Sequence, residues 1–84
     1  MKTYNDIFIA TRNALRDAGI ESYNLEARVL LARAAGKSTQ ELLRDLRLYT
    51  TPQVEETAAA YTKRRLAGEP VAYITGAWEF YTCR

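Results

Sequence analysis

Histidine is absent from these 84 residues. Neither a histidine-based catalytic triad nor a histidine-containing zinc site can be built from such a chain. Cysteine occurs once, as Cys83, which excludes an internal disulfide framework and fits a reducing compartment. With one thiol and no imidazole, transition-metal ligation has almost nothing to work with. Gly19, Gly36, Gly68 and Gly76 each stand alone, so no glycine-rich loop can bring backbone amides against a phosphate or a cofactor. No apolar run reaches membrane-spanning length, and the first residues lack the basic, apolar and small-residue order of a signal peptide. Net charge is only +2, from 12 basic and 10 acidic residues, too little to argue for nucleic acid. The expectation is a cytoplasmic chain with no metal, cofactor-binding or catalytic residues of its own.

What is present describes an ordinary small globular domain, 48% hydrophobic and 26% charged. A domain of this size buries about 60–65% of its unfolded surface, so its core must be economical. Ile7, Phe8, Thr11, Ala14, Leu15 and Ala18 recur at helical spacing, with Asp6, Arg12, Arg16 and Asp17 between them and Gly19 as a stop. Ala27, Leu30, Leu31 and Ala34, widened by Val29 and Ala32, predict a second, largely buried helix from Ser22 or Asn24 to Gly36. Ser38-Thr39-Gln40-Glu41 is a capping box opening a short helix with Leu42, Leu43 and Leu46 on its apolar side. Thr50-Thr51-Pro52 opens a fourth helix, with threonine as cap and proline in the first turn, running to about Ala67 before Gly68 and Pro70. Val71 to Thr75 allow one further helical turn. Connections of two to six residues make the neighbours antiparallel. The predicted fold is all-α: a bundle of four main helices plus a short fifth, with a C-terminal extended arm.

The arm is the odd part. Trp78, Glu79, Phe80 and Tyr81 read as a strand, with Trp78 and Phe80 on one face and Glu79 and Tyr81 on the other. A strand needs a partner for its backbone groups, and Arg84 follows too soon to supply one. The chain therefore reads as the front module of a longer protein. Tyr73, Ile74, Trp78, Phe80 and Tyr81 suit an inter-domain contact or a binding patch. Lys63-Arg64-Arg65 ends the fourth helix, either complementing its dipole in solvent or meeting an acidic partner. Arg65 shares a register with Val54, Ala58 and Tyr61, which lays its stem on the apolar face and calls for a carboxylate, Glu69 or Glu79.

The run Arg64-Arg65-Leu66-Ala67-Gly68-Glu69-Pro70-Val71-Ala72-Tyr73-Ile74-Thr75-Gly76, followed by Glu79-Phe80-Tyr81, resembles the inter-domain junction of the HemK/PrmC family. Those proteins are release-factor glutamine methyltransferases. Ala18-Gly19-Ile20-Glu21-Ser22, Leu25-Glu26-Ala27-Arg28-Val29-Leu30-Leu31-Ala32 and Gly36-Lys37-Ser38 are similar to the family's first turn, second helix and following break. Thr82 departs from the pattern, standing where the family commonly has glycine. The resemblance implies a helical domain over residues 1–76 and the start of a linker β-hairpin over 77–84. The catalytic S-adenosylmethionine domain would lie outside this chain. It further implies that the module docks a class I peptide chain release factor and packs on its own catalytic domain. Lys63, Arg64, Arg65, Glu69, Tyr73, Trp78, Phe80 and Tyr81 are the candidate contacts. It transfers no catalytic, cofactor-binding or metal residue to this chain. The expected form is a monomer with no membrane contact. The reading from another class is a stand-alone helical module that binds protein or nucleic acid. A groove-entering helix would need its cations concentrated on one face, whereas here they are interleaved with acids.

Overall fold

A computed structural model describes residues 2–75. They form five helices, α1 (Tyr4–Asp17), α2 (Tyr23–Ala35), α3 (Thr39–Arg44), α4 (Pro52–Leu66) and α5 (Val71–Thr75). The all-α expectation holds. The strand expected over Trp78 to Tyr81, and with it the extended arm, lies outside the described residues.

α1, α3 and α4 begin where a side chain satisfies their first amides. α1 starts on a capping box not read from the sequence: the Thr3 hydroxyl accepts from the Asp6 amide at 3.2 Å, and the Asp6 carboxylate accepts from the Thr3 amide at 3.0 Å. Its next two orphan donors, the amides of Tyr4 and Asn5, reach the carbonyls of Leu48 and Leu46 at 3.0 and 2.9 Å. The Thr50 amide returns a bond to the Lys2 carbonyl at 2.8 Å, so a short antiparallel bridge ties the N-terminus to the loop before α4. Ser38 and Glu41 form the expected reciprocal box at α3, at 3.1 and 2.9 Å. Thr51 caps α4 by accepting from the Val54 amide, with Pro52 in the first turn. α2 follows Ser22, whose side chain makes no capping bond.

Three helices stop alike. Ile20, Lys37 and Glu69 send their amides back to the carbonyls of Leu15, Ala32 and Arg64, closing a six-residue loop each time. At Gly36 this requires the left-handed conformation, φ 70°, which residues with a Cβ adopt at a cost.

Two apolar clusters meet at Phe8. One holds Tyr4, Ile7, Leu31, Ala32, Leu42 and Ala58, joining the N-terminal half of α1 to the C-terminal half of α2, to α3 and to α4. The other holds Leu15, Ala27, Leu30 and Ile74, with Tyr23, Tyr61 and Val71 packed around it. The expected stripe of α2 is accordingly buried at Ala27, Leu30, Leu31 and Ala32, while Val29 and Ala34 are only half-buried. Two positions differ from expectation. Ala18 is the exposed cap of α1 rather than part of its buried face. Leu43 is 47% exposed beside a fully buried Leu42, because the six-residue α3 offers only one side to α2 and to the core.

At the other end of that contact a charged cluster replaces apolar packing. Asp45, 8% exposed, receives Lys37 Nζ at 2.7 Å and Arg44 Nε at 3.0 Å. The Lys37 ammonium also lies 5.2 Å from the centre of the Tyr4 ring, within cation–π range. Hydrogen bonds from Arg44 and then Lys37 hold the Asp45 carboxyl at about 2, below its ordinary 3.8.

Truncating the two adjacent leucines should separate their roles. Leu42→Ala is expected to cost about 3 kcal/mol in urea unfolding and Leu43→Ala less than about 0.5 kcal/mol. A folded carboxyl held below its unfolded value stabilises above pH 3.8 and loses that contribution as pH falls through about 2. Asp45→Asn should therefore lower Tm at neutral pH and flatten the fall in Tm across this acid window, as followed by circular dichroism.

Candidate functional site

Of the candidate contacts, Arg64, Arg65, Glu69 and Tyr73 lie at the C-terminal end of α4 and the turn into α5. α4 presents Val54, Ala58, Tyr61 and Arg65 along one face, and the structure buries or half-buries all four. The stem of Arg65 thus runs along the apolar side as its register requires. Its guanidinium, however, goes to a different acid from the two expected.

Arg65 Nε lies 2.6 Å from Glu26 Oε1, and Nη2 lies 3.4 Å from Oε2, a two-pronged pairing with the first turn of α2. Side-chain exposures of 23% and 17% put both groups largely out of water. Arg65 Nη1 also reaches the Glu69 carbonyl at 3.4 Å. The Glu69 carboxylate is taken instead by Arg64, whose Nε and Nη2 donate at 3.0 and 2.8 Å. That hydrogen bonding pulls the Glu69 carboxyl below its ordinary value. Glu79, the other expected partner, lies outside the described residues. The correction has a plain cause: α2 runs antiparallel to α4, so its first turn stands beside the last turn of α4 and offers the half-buried Glu26 carboxylate there.

The two arginines divide the work of fixing the turn. Arg64 grips the Glu69 side chain from the solvent side, and Arg65 holds the Glu69 carbonyl and α2 from the inner side. Pro70 follows, its carbonyl accepting from Tyr73 and Ile74 at 3.1 and 3.2 Å. Ile74, expected in the contact patch, instead drops into the second cluster at 4% exposure, because α5 turns that side onto Leu15, Ala27 and Leu30; Tyr73 stays 68% exposed on the opposite face of the same turn. Lys63 stands apart, exposed on the face of α4 turned toward α1. Trp78, Phe80 and Tyr81 lie outside the described residues.

Sequence reasoning missed Glu26. Its signal was available: a single acid flanked by Leu25 and Ala27 in a helix read as mostly buried needs a cation. Among the described residues, no group of three or more histidine, cysteine, aspartate or glutamate side chains is arranged to hold a metal ion. No described helix is long and apolar enough to cross a membrane.

Residues 6–76 match the family model of the PrmC N-terminal domain. The chain belongs to this family. The release factor glutamine methyltransferase of Bradyrhizobium diazoefficiens is 39% identical over 67 residues, covering 80% of this chain and 23% of that protein. That of Coxiella burnetii is 40% identical over 58 residues, covering 69% of this chain and 21% of its own length. The bifunctional methyltransferase of Rickettsia typhi is 40% identical over 68 residues, covering 81% and 13% respectively. The chain thus spans less than a quarter of the length of these curated relatives. No solved structure matches it. The Arg64–Glu69 and Arg65–Glu26 pairs both lie within the matched PrmC N-terminal segment.

Replacing one partner of the half-buried pair strands the other. Arg65→Met or Glu26→Gln should each cost about 1–2 kcal/mol in chemical denaturation, less than a fully buried pair because some water reaches both groups. A double-mutant cycle should return a coupling energy of about 1 kcal/mol. Arg64→Ala, at an exposed pair, is expected to change stability little.

Proposed function

We propose that this chain is the substrate-docking domain of an S-adenosylmethionine-dependent methyltransferase that methylates the glutamine side-chain amide of class I peptide chain release factors. The observation that carries the reading is the match of residues 6–76 to the PrmC N-terminal domain, together with relatives named as release factor glutamine methyltransferases. In this reading residues 1–76 are the helical domain and residues 77–84 begin the linker hairpin. The cofactor and the glutamine then meet in the remainder of the parent protein. That step moves a methyl group from the sulfonium sulfur to the amide nitrogen, which releases a proton. None of the residues described here takes part in it, and the parent works in the cytoplasm.

The contribution of the helical domain is position. A methyl acceptor at the tip of a large protein offers little surface, so most of the binding energy must come from contacts elsewhere on that protein. Holding the body of the release factor at a fixed angle to the cofactor raises the effective concentration of the glutamine at the reacting centre. The hold of Arg64 and Arg65 on the turn into α5 supports this role, because it fixes how α5 sits on the bundle. Tyr73, Trp78, Phe80 and Tyr81 would face the catalytic domain, and Lys63 the release factor.

Incubating the full-length natural polypeptide with S-adenosylmethionine and a class I release factor should add one methyl group to the tip glutamine, read by mass spectrometry. The 84-residue chain alone should bind no S-adenosylmethionine in calorimetry. Micromolar binding by the chain, or no methylation by the full polypeptide, would overturn the assignment.

A further inference from the structure

α1, α2 and α4 pack as a three-sided bundle, and each pair of neighbours leaves a furrow on the outside. The furrow between α2 and α4 is filled at one end by α5, whose Ile74 is buried among Leu15, Ala27 and Leu30. The furrow between α1 and α4 has no such cover among the described residues. It is an open groove of about 550 Å³, lined in part by Ala10 of α1 and by Ala59 and Leu66 of α4. The two alanines are exposed and small, which makes the furrow deep enough for side chains from outside. Leu66 is 45% exposed at its far end.

The charges on the rim are polarised along α4. Glu55 and Glu56 line the end near the N-terminus of α4, and Lys63 lines the other. Lys2 also lines the acidic end, beside the bridge to Thr50, and leaves that end net negative. No carboxylate pairs with Lys63 and no cation pairs with Glu56 among the described residues.

From this we infer that the α1/α4 groove docks an amphipathic helix of the protein substrate, running antiparallel to α4. Small apolar side chains at helical spacing would enter over Ala10 and Ala59, the mode in which an apolar helix face fills a groove. Helices carry acids in their first turn and bases in their last, because each end of the backbone dipole favours the opposite charge. An antiparallel helix therefore sets its acidic first turn over Lys63 and its basic last turn over Glu55 and Glu56. A parallel helix would meet like charge at both ends. The inference rests on the docking role proposed above and specifies the surface that performs it.

The test uses the full-length natural polypeptide and a class I release factor, with methyl transfer followed at varied release-factor concentration. Ala59→Trp fills the groove at an exposed position, and Lys63→Glu reverses one rim charge without touching the core. Ala59→Trp should raise KM for the release factor about tenfold with kcat unchanged, and Lys63→Glu should raise it severalfold. Ala59→Ser should leave both parameters as they were. Unchanged KM in Ala59→Trp and Lys63→Glu, with the wild type active, overturns the groove while the docking role stands. Absence of any transfer to the release factor by the wild type overturns the docking role, and the groove assignment with it. Sedimentation showing a dimer that Ala59→Trp breaks, with release-factor KM unaltered, assigns the groove to a second copy and overturns the inference.

Discussion

The burial of α2 is the constraint on which the rest depends. Ala27, Leu30, Leu31 and Ala32 are almost completely removed from water, and α2 touches each of the other four described helices. A helix so surrounded must be narrow where its neighbours approach. Alanine at positions 27, 32, 34 and 35 provides that, and it also favours helix intrinsically. Leu30 and Leu31 then fill the two clusters that meet at Phe8. With so little area available to a chain of this size, neither cluster can lose a large side chain cheaply.

Polar groups complete what the apolar core cannot reach. The ends of α2 are where the core thins, and each is held by an ion pair to a different helix. Glu26 in its first turn takes Arg65 of α4, and Lys37 beyond its last turn takes Asp45 at the end of α3. Both pairs are largely out of water, and both are backed by further contacts: the Glu69 carbonyl on Arg65, and Arg44 and the Tyr4 ring around Asp45 and Lys37. A buried pair adds little net stability over an apolar one of similar shape, but mismatched alternatives strand a charge. Packings that separated Glu26 from Arg65 or Lys37 from Asp45 would leave these charges buried or half-buried and unpaired.

The helices were legible in the sequence because their ends are marked by strong local chemistry. Ser38 with Glu41, Thr51 with Pro52, and the lone glycines act within a few residues of where they stand. Thr3 with Asp6 escaped notice because the shorter aspartate departs from the usual glutamate or glutamine box. Leu43 was misplaced because periodicity assumes a helix long enough to need a whole apolar face, and α3 has six residues. The partner of Arg65 was out of reach for another reason. Its register was readable along α4, but Glu26 is 39 positions away and becomes a neighbour only through the antiparallel packing of two helices. The α1/α4 groove was equally hidden, since it depends on the spacing of two helices rather than on a pattern within either.

The docking role proposed above would depend on rigidity. Binding a large partner costs translational and rotational freedom, and any looseness between docking surface and reacting group adds to that cost. The path from the α1/α4 groove to Thr75, the last described residue, passes through α4, the Arg64–Glu69 and Arg65–Glu26 pairs, and α5. Each joint in it has two independent restraints: α4 is packed on α1 and α2, the turn is held from both sides, and α5 is seated by Ile74 and by the Pro70 carbonyl. A domain with the proposed role, presenting one surface to a substrate whose tip reacts elsewhere, would depend on such restraint.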